Sequence, residues 1–162
     1  MQLAQLNIAD AKHEMTAPEL AGFVSRIDMI NAVGDRSEGF IWRLEDDGPG
    51  PGALSLRMEG LGPDTLVNMS VWESLDTLYN FIYKTAHTKV MREERPNFHR
   101  IPKDHMVLWW IRDGHMPNLE EAREKLDLIR ANGSAPEAFS FTCPFDENGQ
   151  PIRSVFTKKE IA

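Results

Sequence analysis

Residues 65–87 read TLVNMSVWESLDTLYNFIYKTAH, and the spacing of their apolar residues changes halfway. Over 65–72 the period is two: Val67, Met69 and Val71 share one face, and Leu66, Asn68, Ser70 and Trp72 share the other, as in a strand. From Ser74 the period becomes helical. Ser74 can accept from a free amide, and Asp76 falls in the first turn, where the helix dipole favours an anion. Leu75, Leu78 and Ile82 then form a core stripe, with Asn80, Tyr83, His87 and Met91 on a second stripe rotated away from it. The segment closes on MREERP near Pro96, and HMVLWWIR (105–112) follows as another strand. A strand, a crossover helix and a strand make one unit of a layered α and β fold.

The flanks supply the other half. Leu3 to Ile8 alternates as a strand, with Leu3, Gln5 and Asn7 against Ala4, Leu6 and Ile8. Thr16-Ala17-Pro18-Glu19 has the form of a helix start, because threonine can cap and proline suits the first turn. Leu20, Phe23, Val24, Ile27, Ile30 and Val33 give the stripe, and Gly34 is expected to end it in a left-handed conformation. GFIWRLE (39–45) is a strand with Phe40, Trp42 and Leu44 on one face and Ile41 and Arg43 on the other; DDGPGPGA (46–53) is a loop by composition. After the fourth strand, residues 118–132 form a helix capped by Asn118, with Glu121 placed to reach back and Gly133 to close it. AFSFT (138–142) is expected to be a short fifth strand. The order β-α-β-β-α-β predicts an α+β fold with a ferredoxin-like antiparallel sheet and helices on one face. One domain is expected over 1–145 and a C-terminal tail or arm over 146–162, which is either dispensable for folding or docks its Ile152, Val155, Phe156 and Ile161 on a second subunit.

Bulk properties narrow the function. The chain has 162 residues, 41% hydrophobic and 27% charged, enough for one domain that needs no disulfide or metal to hold its core. A net charge of −7 argues against nucleic-acid binding, which draws its affinity from cations on phosphates. No apolar run reaches the roughly 18 residues a transmembrane helix needs. No signal peptide is evident, and Cys143 is the only cysteine, so a cytoplasmic location is expected. His99, His105 and His115 match no zinc spacing, so no metal is expected. GPGPGA follows a strand without opening a helix, and its prolines remove amides that a phosphate would need.

Chemistry concentrates on one face. Gln5, Asn7, Arg43, Asn68 and Ser70 converge there with Trp72 if each strand turns its purely apolar side to the helices. A polar and aromatic concave face suits a small-molecule pocket; it also suits a half-wet sheet or one covered by a second copy. Asn7, Asn68 and Ser70 can hold a substrate oxygen or bond one another. Arg43 can take a carboxylate ligand or pair with Glu45 or Glu73. A neutral His87 can shuttle a proton, or it is a surface histidine. Trp109 and Trp110 point to opposite faces, so one is core and the other lines the pocket or an interface.

LAQLNIA (3–9), GFIWRL (39–44), residues 66–87, VLWWI (107–111) and the late AFSF (138–141) together resemble the bacterial domain of unknown function 3291 family, with NMSVWES (68–74) and AFSF its specific blocks. That family is grouped with the dimeric α/β-barrel proteins, which include antibiotic-biosynthesis-type monooxygenases and haem-degrading enzymes. The resemblance implies a homodimer whose two sheets face each other as a barrel. The haem-degrading members use an asparagine on the first strand and a tryptophan and a histidine on the second helix. Asn7 and His87 are similar to two of these, and Phe81 stands in place of the tryptophan. The cofactor-free monooxygenases use an asparagine and a tryptophan similar to Asn68 and Trp72. The expectation is a small-molecule-binding dimeric barrel, in one version a monooxygenase-like enzyme acting on a small hydrophobic or aromatic substrate. His87, Asn68 and Trp72 would be catalytic, and Gln5, Asn7, Arg43, Ser70, Tyr83 and Trp110 would bind the ligand. No cofactor is expected, haem being the one weighed. The alternative is a non-catalytic dimeric binding or structural module.

Overall fold

The computed structural model describes residues 1–48 and 50–153. Four strands, β1 (Gln2–Asp10), β2 (Phe40–Arg43), β3 (Thr65–Trp72) and β4 (Met106–Ile111), form one antiparallel sheet in the order β2-β3-β1-β4. That is the ferredoxin-like order, with the strand-to-strand crossovers made of helices α1 (Ala21–Val24) and α2 (Ile27–Asp35), then α3 (Leu75–Lys84) and α4 (Ala86–Glu94). The two crossovers pack on each other, α1 and α2 against α4, and so lie on the same face of the sheet. A fifth helix, α5 (Leu119–Asn132), follows β4.

Both faces of the sheet are covered within one chain. The purely apolar face, Ala4, Leu6, Ile8, Val67, Met69, Val71, Val107, Trp109 and Ile111, packs on Ala122, Leu126 and Ile129 of α5 and on Met58. The other face, with Leu3, Trp72 and Leu108, packs on Leu75, Leu78, Tyr79 and Ile82 of α3 and on Phe139 and Phe141. This corrects the sequence expectation: the face carrying Gln5, Asn7, Asn68 and Ser70 lies beneath the crossover helices, and the all-apolar face goes to α5. An apolar face gains most from a dry partner, and the long amphipathic α5 supplies one. Trp72 and Trp109 are each 1% exposed, one on each face of the sheet, while Trp42 and Trp110 are half-buried.

Several elements depart from their sequence reading, each for a local reason. The first crossover is broken. A 3-10 turn at Pro18–Leu20 leads into α1, and Ser25 then donates to the Gly22 carbonyl, which competes with helix continuation. Thr16 makes no cap; Ala17 holds that position, without a side-chain hydrogen bond. Gly34 sits inside α2 rather than ending it, and the left-handed residue is Gly39, at φ +74°. A register shift between Phe40 and Trp42 puts Phe40 opposite Trp72 and Trp42 opposite Val71, so Phe40 and Trp42 do not share a face. The second crossover breaks at Thr85, whose hydroxyl donates to the Phe81 carbonyl and accepts from the His87 amide, drawing its own backbone into an extended conformation. Residues 138–145 form isolated bridges, Phe139 to Leu108, Ala138 to Ala135, Ser140 to Cys143 and Phe145 to Pro151, rather than a fifth strand. Asn118 caps α5 as expected, but the Glu121 carboxylate turns to Trp109 Nε1 and His115 Nε2 instead of reaching back. Asp146 accepts from the amides of Asn148 and Gln150, and the Ile152 amide donates to the Pro144 carbonyl, folding the chain back on itself. Val155, Phe156 and Ile161 lie outside the described residues.

Candidate ligand site

Strand register lays the helix-side face out in rows, because directly opposed residues point the same way. One row runs Phe40, Trp72, Leu3, Trp110 and the next Arg43, Ser70, Gln5, Leu108; a third, at the sheet end, holds Asn68, Asn7 and Met106. The first is aromatic and closed by α3. The second is polar, and Gln5 and Ser70 are 4% and 6% exposed. The third is the rim, where Asn68 is exposed and Asn7 half-buried.

The polar row is tightly bonded, with two exceptions. Gln5 Nε2 donates to Ser70 Oγ at 2.9 Å and to Asn68 Oδ1 at 3.2 Å. Trp72 Nε1 donates to the same Ser70 oxygen at 2.8 Å. Ser70 thereby uses both lone pairs, and its proton is what it has left to offer. Arg43 Nε donates to Asp35 Oδ1 at 2.8 Å, and Nη2 lies 2.6 Å from Glu45 Oε1. Burial works to lower the Arg43 pKa, but the two carboxylates outweigh it and hold the guanidinium firmly charged. Among the described residues, two buried side-chain polar atoms have no partner, and both belong to this row: Gln5 Oε1 and Arg43 Nη1. An unpaired buried polar group costs about 1–3 kcal/mol, so two of them flanking one serine call for an explanation.

The aromatic wall stands beside this row. Phe81 stacks on Trp72 with ring centres 5.1 Å apart, Phe40 meets Trp72 edge-on at 5.4 Å, and His87 lies 4.9 Å from Phe81. Gly34 makes room for Phe81, whose ring would touch a Cβ there at 3.4 Å. His87 Nδ1 is 3.2 Å from the Ile82 carbonyl, which can only accept, so the neutral imidazole carries its proton on Nδ1 and its lone pair on Nε2. Burial lowers the His87 pKa, opposed by that hydrogen bond, and favours this neutral form.

The structure therefore joins Gln5, Ser70, Trp72 and Asn68, with Arg43 and Asn7 beside them in register, and does not join the rest. Phe81 separates His87 from Trp72, and Asn68 lies at the rim. The break at Thr85 takes His87 off the stripe it would share with Asn80 and Tyr83; of these, Asn80 is exposed and Tyr83 packs on Tyr79 and Phe141. Burial pushes the Tyr83 pKa up to about 12. Trp110 donates to the Phe145 carbonyl at the far edge. Arg43 is already paired with Glu45, as one reading of the sequence had it, and also with Asp35, which no local pattern indicated. Two surface clefts, of about 210 and 290 Å³, lie elsewhere, lined by neither His87 nor the residues of the polar row. Among the described residues no group of three His, Cys, Asp or Glu side chains is placed to hold a metal ion, and no helix is long and apolar enough to cross a membrane.

Comparison with known proteins adds the family. A family model described as a domain of unknown function (DUF3291) matches residues 2–154. No curated protein matches the chain. Among solved structures, the chain is similar to SnoaB, a cofactor-independent oxygenase from Streptomyces nogalater, at 16% identity and TM-score 0.48, covering 72% of this chain and 98% of that one. It is also similar to a protein from Chloroflexus aurantiacus J-10-fl titled a putative antibiotic biosynthesis monooxygenase, at 14% identity and TM-score 0.42, with the same coverage of 72% and 98%.

Proposed function

The chain belongs to the domain of unknown function 3291 family, and from that premise we propose that it is a small-molecule-binding protein whose site is the Arg43–Ser70–Gln5 row beneath the crossover helices. Trp72, Phe81 and Phe40 supply the aromatic wall, and Asn68 and Asn7 form the entrance. The observation that carries this reading is the pair of unpartnered buried atoms, Gln5 Oε1 and Arg43 Nη1, in an otherwise bonded row. A ligand that meets them recovers a cost the apo protein carries, and an aromatic ligand extends the stack that Phe81 and Trp72 begin. Binding is favoured over catalysis because Phe81 stands between His87 and the polar row; monooxygenase-like chemistry with His87 Nε2 as base requires that ring to swing aside.

Titration of the full chain with naphthol, followed by calorimetry, tests the reading. Naphthol should bind with a micromolar Kd, weakened tenfold or more in Gln5→Met and in Phe81→Ala. An absence of binding by naphthol, or the same affinity in both variants, overturns it.

A further inference from the structure

The charge around Arg43 says what kind of ligand the row accepts; this rests on the site proposed above. Arg43 is the row's only cation, and it is not free. Asp35 comes down from the end of α2 and Glu45 from the strand extension, at 2.8 and 2.6 Å, so one positive charge faces two negative ones. A carboxylate ligand would bring a third negative charge beside Asp35 and Glu45, which are themselves exposed but lie on the guanidinium it would have to share. Nη1 remains a buried donor all the same. What suits it is a neutral acceptor, such as a ketone or quinone oxygen. Across the row, Gln5 has spent both N–H groups on Asn68 and Ser70 and has only an acceptor to offer, which suits a hydroxyl or N–H on the ligand. Arg43 and Gln5 stand on β2 and β1, either side of β3, about 9–10 Å apart at the Cα atoms from ordinary strand spacing. A ligand one or two fused rings long can present both groups at its ends.

We propose that the site selects an uncharged hydroxy-carbonyl aromatic, its carbonyl accepting from Arg43 Nη1 and its hydroxyl donating to Gln5 Oε1, and that Asp35 and Glu45 exclude the corresponding carboxylate. The expectation that Arg43 receives a carboxylate is thereby reversed.

Three probes of one shape test this by calorimetry on the full chain at neutral pH: naphthol, a hydroxynaphthyl methyl ketone, and the matching hydroxynaphthoate. The ketone should bind about tenfold more tightly than naphthol, the factor that one charge-assisted hydrogen bond supplies. The hydroxynaphthoate should bind at least tenfold more weakly than the ketone. In Arg43→Lys, which keeps the charge but shortens and narrows the donor, the ketone-to-naphthol ratio should fall towards one. In Asp35→Asn, which folds with one fewer carboxylate, the hydroxynaphthoate should gain on the ketone. Naphthol binding with no advantage for the ketone, or a hydroxynaphthoate that binds best, refutes this inference and leaves the site standing. Failure of naphthol to bind, or a single water bridging Gln5 Oε1 and Arg43 Nη1 in a crystal structure, refutes the inference and the site together.

Discussion

Ser70 is the smallest side chain in the polar row and holds the most of it together. It accepts from Gln5 and from Trp72, so Ser70→Ala strands two buried donors at once, each worth about 1–3 kcal/mol. Urea unfolding should show a loss of about 2–4 kcal/mol, whereas Ser70→Thr should cost less because the hydroxyl survives. His87 gives a pH signature. Its folded pKa is lowered by burial, so below about 6.5 the unfolded chain takes up the proton first. Stability from this group is therefore complete above that value and declines as pH falls towards the folded pKa. Thermal melts between pH 8 and about 5 should show this decline in the wild type and a flatter profile in His87→Gln; identical profiles contradict it. Much at this scale was legible in the sequence. Period-two alternation put Gln5 and Asn7 on one side of the first strand and Asn68, Ser70 and Trp72 on one side of the third, and the register joins the two sides on one face. What it could not show was Asp35, because the pairing with Arg43 depends on where α2 ends.

The elements matter through their breaks. Strand alternation survives folding because it is a property of each strand, and β1, β3 and β4 stand where their sequences put them. Helical stripes are less secure when a hydroxyl can bond the chain. Thr85 and Ser25 each return a bond to a carbonyl three or four residues earlier, and both crossovers are divided at those points. The stripe that united Tyr83 with His87 was lost to the first of these. The bulge near Ile41 is likewise a tertiary choice, since it lets Phe40 meet Trp72 while Arg43 still faces Ser70. Gly34 is where the two crossovers meet over the aromatic wall. Its absent Cβ would lie 3.4 Å from Phe81, an ordinary contact, so Gly34→Ala should be tolerated and gain up to about 1 kcal/mol from helix propensity. Gly34→Leu should overpack the joint and cost about 1–3 kcal/mol, lifting Phe81 off Trp72. Denaturant titration of the two variants, with near-ultraviolet circular dichroism of the stacked rings, separates these outcomes. Equal loss in both would mean that Gly34 is needed for its backbone and not for its missing side chain.

For the whole molecule, the main lesson is which way the sheet faces. The sequence shows two different faces clearly and does not show which one the crossovers take. That depends on α5, whose apolar stripe, Ala122, Leu126 and Ile129, competes for the dry face and wins it. The polar row is consequently enclosed between the sheet and the helices of one chain, where unpaired atoms are costly and a ligand can recover the cost. The most direct measurement is a crystal structure of the full chain soaked with the hydroxynaphthyl methyl ketone. The account predicts the ligand beneath α3 and α4, stacked on the Phe81–Trp72 wall, with one oxygen within hydrogen-bond distance of Arg43 Nη1 and the other of Gln5 Oε1. A closed row with those two atoms satisfied by water, and the ketone absent or bound elsewhere, would contradict it.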